Sequence, residues 1–141
     1  MPAHKHLIIK GLLTDPARST HEITDALYDL VDLVNMRILD EPRARYCYEE
    51  GNTGFTGDVL LTTSHMMWHD WDRQGDPYAD FQFDLYSCAP FDTQTVISYL
   101  VENFGLTNYE YKLFDRQYAL VEEQSGRGFA LRDAAESVEA D

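Results

Sequence analysis

Residues 79–88, ADFQFDLYSC, alternate apolar and polar without interruption. In an extended chain successive side chains point to opposite faces. Phe81, Phe83 and Leu85 therefore share one face, and Asp80, Gln82, Asp84, Tyr86 and Cys88 share the other. A strand with one dry and one wet face belongs to a sheet that is covered on one side only.

The flanking segments build the rest of that sheet. Residues 56–63 (TGDVLLTT) and 66–71 (MMWHDW) read as two further strands, preceded by a loop over residues 49–54 (EEGNTG). Residues 36–39 read as a brief strand and 44–48 as a second, edge-like one. At the start, 6–13 (HLIIKGLL) is a strand, and Thr14-Asp15-Pro16 breaks the chain. Ser19 or Thr20 then caps a helix whose apolar stripe is Ile23, Ala26, Leu27, Leu30, Val31 and Val34, at three- and four-residue spacing. Past Ala89-Pro90, Asp92 or Thr93 caps a second helix with the stripe Val96, Ile97, Leu100, Val101 and Phe104, and Gly105 stops it. Residues 109–114 alternate again as a last strand.

The order is β-α-β-β-β-β-β-α-β. It predicts an α+β fold, a mainly antiparallel sheet with two helices packed on one face. No repeat or linker divides the chain, so residues 1–117 are one domain. Residues 118–141 lose periodicity and are expected to form an acidic, partly disordered C-terminal tail with a short helix near 129–135.

Composition narrows the function classes. A chain of 141 residues that is 44% hydrophobic and 13% aromatic can bury a real core. Its 25 acidic and 11 basic residues, a formal charge of −14, argue against a nucleic-acid surface and against docking on anionic lipid. No apolar run is long enough to span a membrane, and the N-terminus lacks the pattern of a signal peptide. Cys47 and Cys88 are too few for a disulfide framework. A cytoplasmic protein is expected.

Chemistry concentrates in residues 54–72, GFTGDVLLTTSHMMWHDWD, and in 84–88, DLYSC. Ser64 offers a hydroxyl between two strands, His65 and His69 follow, and Cys88 lies downstream on a polar face. A Ser–His–acid hydrolase would set its serine on a glycine-flanked elbow entering a helix, and Ser64 lies between Thr63 and His65 instead. A metal site would draw on His65 and His69 with Asp70, Asp72 or Cys88, but residues four apart on a strand are separated by about 13 Å. Taken singly, each residue is also compatible with an ordinary strand position and a small buried thiol.

As a set, Gly54, Thr56, Gly57, Ser64, His65, His69, Trp71, Asp84 and Cys88 resemble the motif of the prokaryotic pyruvoyl-dependent S-adenosylmethionine decarboxylases. The resemblance runs from His6 to about Phe114. It implies self-cleavage between Thr63 and Ser64 and conversion of Ser64 to a pyruvoyl group, the cofactor, with neither metal nor pyridoxal phosphate. His69 matches the processing base, suited to the task by an imidazole that titrates near neutrality. Thr56 matches an assisting serine of the family. Cys88 matches the acid that returns a proton to the substrate α-carbon, after the substrate amine has condensed with the ketone as a Schiff base. Asp72 matches an acidic position of the substrate pocket, able to pair with a sulfonium or a ribose hydroxyl. The resemblance further implies S-adenosylmethionine as substrate, spermidine synthesis as the context, and a homodimer or higher homo-oligomer whose protomers complete each other's sites.

The chain departs from the family at Thr63, where glutamate is usual, at Ser87-Cys88-Ala89 for Thr-Cys-Gly, and at Trp71-Asp72-Arg73 for Trp-Pro-Glu. Decarboxylation of arginine or ornithine through the same group, or a non-catalytic binding or structural role, are the competing readings.

Overall fold

The computed structural model describes residues 3–129. Nine elements follow in order: β1 (Lys5–Leu13), α1 (Thr20–Leu33), β2 (Ile38–Cys47), β3 (Gly54–Leu61), β4 (Ser64–Asp72), β5 (Ala79–Ser87), α2 (Thr93–Phe104), β6 (Leu106–Asp115) and β7 (Val121–Gly128). The seven strands form one sheet in the order β2-β3-β4-β5-β1-β6-β7, and every neighbouring pair is antiparallel.

Both helices lie on the same face, as the alternation predicts. Leu7, Ile9 and Leu13 of β1, Met66 and Trp68 of β4, and Phe81, Phe83 and Leu85 of β5 join Ile23, Leu27 and Leu30 of α1 and Val96, Ile97 and Leu100 of α2 in a single core. Burying side chains of this size contributes roughly 1.5–3 kcal/mol each. Ser19 caps α1 by accepting the Glu22 amide, and Asp92 caps α2 by accepting the Gln94 amide. Gly105 closes α2 in a left-handed conformation, φ 63°. Val101, expected in the α2 stripe, is 39% exposed, so the buried stripe of α2 is narrower than its apolar positions suggest.

Two differences from the sequence reading have physical causes. The brief strands at 36–39 and 44–48 are one edge strand, β2, which keeps pairing with β3 through register shifts around Asp40 and Arg43. Pro42 sits inside it, which an edge strand with bulges tolerates. The domain also continues beyond residue 117, because Val121–Gly128 pairs with β6. Its Gly126 and Gly128 leave room for the rings of Tyr111 and Tyr109, and an added Cβ would lie 2.6 and 2.2 Å from ring carbons there. The helix expected near 129–135 lies almost wholly outside the described residues.

Among the described residues, the second face of the sheet carries no helix. It presents His6, Ile8 and Lys10 of β1, Thr56, Asp58 and Leu60 of β3, His65, Met67, His69 and Trp71 of β4, and Gln82, Asp84 and Tyr86 of β5. Ile8 and Leu60 are 41% and 40% exposed there, apolar side chains without a cover.

Candidate active site

Leu61 pairs with Ser64, so Thr62 and Thr63 alone make the turn between β3 and β4. Neither has a positive φ, so the turn is not of the primed kinds that usually close two-residue hairpins. The Thr62 amide is tied back to the carbonyl of Arg37, 2.9 Å away. The Thr63–Ser64 peptide bond thus sits where a fixed turn enters a central strand.

β5 runs alongside and brings its end to that bond, with Ser64 opposite Ser87. The Thr63 carbonyl accepts from the Cys88 amide at 3.3 Å and from the Cys88 thiol, also at 3.3 Å. Thr63 Oγ1 lies 3.3 Å from Ser64 Oγ and 3.3 Å from Ser87 Oγ. Ser87 is fully buried and accepts from the Ala89 amide at 2.9 Å. Ser64 Oγ is 3.9 Å from the Met36 sulfur. A carbonyl with two convergent donors and a hydroxyl on the next residue can undergo acyl transfer, because the donors stabilise charge that grows on the oxygen.

His69 lies elsewhere. It faces the uncovered side of the sheet, opposite Thr56, with Thr56 Oγ1 3.1 Å from His69 Nδ1. Its ring stacks on Trp71 at 5.8 Å between centroids and 24° between planes, and Trp71 Nε1 donates to Asn52 at 2.8 Å. Ser64 and His69 are five residues apart on one strand, about 16 Å of extended chain, and an odd spacing puts them on opposite faces. Thr56, the match to the family's assisting serine, pairs with His69. The structure therefore groups the candidates as Thr63, Ser64 and Cys88 at one place and Thr56 and His69 at another.

Asp72 joins neither group. Even spacing from Trp68 and Asp70 places it on the helix-covered side, where it accepts a hydrogen bond from the Tyr46 hydroxyl near the start of α1.

The sequence reading did not single out the surroundings of Tyr86. Its hydroxyl lies 2.7 Å from His4 Nδ1, the Arg116 guanidinium stands 4.2 Å above its ring, and His6 and His65 pack around it. Asp84 Oδ1 sits between His6 Nε2 at 3.4 Å and His65 Nε2 at 3.7 Å. This cluster lies on the uncovered face beside the Thr63–Ser64 bond, with His65 next to Ser64 and Tyr86 two residues before Cys88. Alternation in 79–88 puts Asp84, Tyr86 and Cys88 in line, but only the strand order β4-β5-β1-β6 brings the other members together. Among the described residues, no three His, Cys, Asp or Glu side chains converge as metal ligands.

Comparison with known proteins follows the same residues. A family profile described as S-adenosylmethionine decarboxylase matches residues 5–117. The chain is 27% identical over 110 residues to the S-adenosylmethionine decarboxylase proenzyme of Clostridium botulinum strain Langeland, covering 76% of this chain and 88% of the relative. The proenzymes of strains Okra and Hall match over the same lengths, at 27% and 26% identity.

Proposed function

The chain belongs to the S-adenosylmethionine decarboxylase family, and from that premise we propose that it is a self-processing, pyruvoyl-dependent decarboxylase of S-adenosylmethionine. The observation that carries this reading is the Thr63 carbonyl, held by the Cys88 amide and thiol with the Ser64 hydroxyl on the adjacent residue. These residues fit the making of a pyruvoyl group.

Ser64 Oγ attacks the Thr63 carbonyl carbon. The C–N bond between the two residues breaks, its nitrogen takes up the proton, and Thr63 is left esterified to the Ser64 side chain. Charge on the carbonyl oxygen during attack falls on the two Cys88 donors. Removal of the Ser64 α-proton by a histidine then expels the Thr63 carboxylate from Cβ. The dehydroalanine that remains takes up water and loses ammonia, leaving a ketone at the head of residues 64–141. That ketone supplies an electron sink for a bound amino acid. Release of the Thr63 carboxylate from the ester frees the Cys88 thiol from its acceptor, and the thiol returns a proton to the substrate carbon, while residues 1–63 stay in the sheet.

Within one chain His69 is too far from Ser64 to be that histidine. A symmetric dimer resolves this, with the uncovered faces of two sheets together and the partner's His69 and Thr56 brought to the start of β4, where the Ser64 backbone carries the α-proton to be removed. The exposed Ile8 and Leu60 on that face support such a cover, and two-fold pairing is the commonest association of soluble chains. It also supplies the dry surroundings that make a proton donor effective.

Intact mass and carbon dioxide release test the proposal. We expect fragments of residues 1–63 and 64–141, the second blocked to N-terminal sequencing, and release of label from carboxyl-labelled S-adenosylmethionine. A full-length chain unchanged after long incubation overturns self-processing. Release from arginine or ornithine instead overturns the substrate.

A further inference from the structure

Asp70 stands between His69 and Trp71 on β4 but points the other way, into the helix-covered side, where it is 3% exposed. A carboxylate in that position is costly unless its oxygens are bonded. Here Oδ1 accepts the Phe55 amide at 3.0 Å and Oδ2 accepts Trp68 Nε1 at 3.0 Å. Desolvation raises its pKa above the ordinary aspartate value, and the two hydrogen bonds oppose that rise.

The bond to Phe55 is not a rung of the sheet ladder. It replaces one at the point where β3 begins with a bend at Gly54, φ 152°. The backbones are so close there that a Cβ on Gly54 would lie 2.0 Å from the Asp70 carbonyl oxygen. One step further out, the Asp72 amide closes on the Thr53 carbonyl at 2.9 Å. Asp70 therefore fixes where β3 starts against β4, one residue before Thr56. On the opposite face that register sets Thr56 Oγ1 against His69 Nδ1.

Which nitrogen of a histidine acts as the base is set by the hydrogen bond that the other makes. If Nδ1 donates to Thr56 Oγ1 across the 3.1 Å contact, Nε2 is left free to take a proton. We propose that Asp70 is the positioning residue of the His69 half-site: through the Phe55 amide it holds Thr56 on His69 and so fixes the imidazole tautomer. This rests on the reading of His69 as the processing base. A displacement of about 1 Å in such a group can cost about a hundredfold in rate.

The test compares the parent protein with Asp70→Asn and Trp68→Phe, using ¹⁵N-labelled histidine, with the His69 signals assigned through His69→Gln. In the parent we expect one dominant tautomer, protonated at Nδ1. Asp70→Asn keeps the shape but offers an amide NH₂ to one of the two donors. It should fold, show His69 as a mixture of tautomers, and self-cleave at least tenfold more slowly. Trp68→Phe removes one restraint on the carboxylate and should move the His69 signals in the same direction by less, which keeps the proposal testable if Asp70→Asn does not fold. A folded Asp70→Asn or Trp68→Phe protein with parental His69 signals overturns the positioning role, even if the parent cleaves itself. A parent that never cleaves, while Asp70→Asn still shifts the His69 signals, leaves Asp70 as the positioning residue and removes the processing reading.

Discussion

The carbonyl oxygen of Thr63 stands 3.3 Å from the amide nitrogen of Cys88 and 3.3 Å from its sulfur. One residue thus supplies two donors to the bond proposed to break, and a side-chain substitution can remove only the thiol. A thiol is a weak donor, so Cys88→Ala should slow self-cleavage by about tenfold, well below the loss of a strong oxyanion donor. Proton return to substrate, which depends on the thiol itself, should fall by about 10²–10⁴. Following both on one preparation, by gel and by carbon dioxide release, checks the assignment. Equal losses in the two steps would contradict separate roles.

Ser64→Ala should stay a single chain and remain folded. Among the described residues the hydroxyl's hydrogen-bond partners are Thr63 Oγ1 and the Met36 sulfur, at 3.3 and 3.9 Å. Loss of such contacts leaves stability within about 0.5 kcal/mol. Intact mass and thermal melting measure the two halves of this expectation, and cleavage before residue 64 in the variant would rule out Ser64 as the nucleophile.

Asp70 gives a pH signature. Its pKa is raised in the folded state, chiefly by desolvation, above the ordinary value of 3.8. Between those two values the folded protein holds the proton more tightly than the unfolded chain, so this group's contribution to stability falls as pH rises and is flat once Asp70 is ionised. The stability of the parent relative to Asp70→Asn should be greatest in acid and shrink as the pH rises above 3.8. Denaturant titrations of both proteins across that range measure it. A difference that grows with pH would show that the carboxylate's hydrogen bonds outweigh its burial.

Alternation and helical spacing were enough to read the layer order, because each element has one buried face. Phe81, Phe83 and Leu85 are buried as their spacing predicts, and Asp92 and Gly105 bound α2 as expected. β7 was not legible, because in residues 121–128 four polar residues, two glycines and an arginine follow Val121, and their pairing depends on the tyrosine rings of β6. The site was legible as a set of residues but not as an arrangement. Ser64 and His69 are close in sequence, and only the parity of a strand reveals that they face apart. Cys88 could be tied to the Thr63 carbonyl only once β4 and β5 were known to be neighbours. Asp70 carries no motif, and its role emerges from burial and from the bend at Gly54.

The separation of Ser64 from His69 leads to a sharp test of the dimer. If each site joins Ser64 and Cys88 of one chain to the partner's His69 and Thr56, then Ser64→Ala and His69→Ala homodimers are both silent. The first lacks its nucleophile and the second lacks its base at every site. A mixed dimer is different. At one of its two sites the intact Ser64 of the His69→Ala chain meets the intact His69 of the Ser64→Ala chain. Co-expression should therefore cleave the His69→Ala chain and leave the Ser64→Ala chain whole. With random pairing half of all dimers are mixed, so up to about half of the His69→Ala chains should be cut. Mass spectrometry distinguishes the two chains by their substitutions. If His69 served Ser64 of its own chain, mixing would restore nothing, and both chains would stay full length.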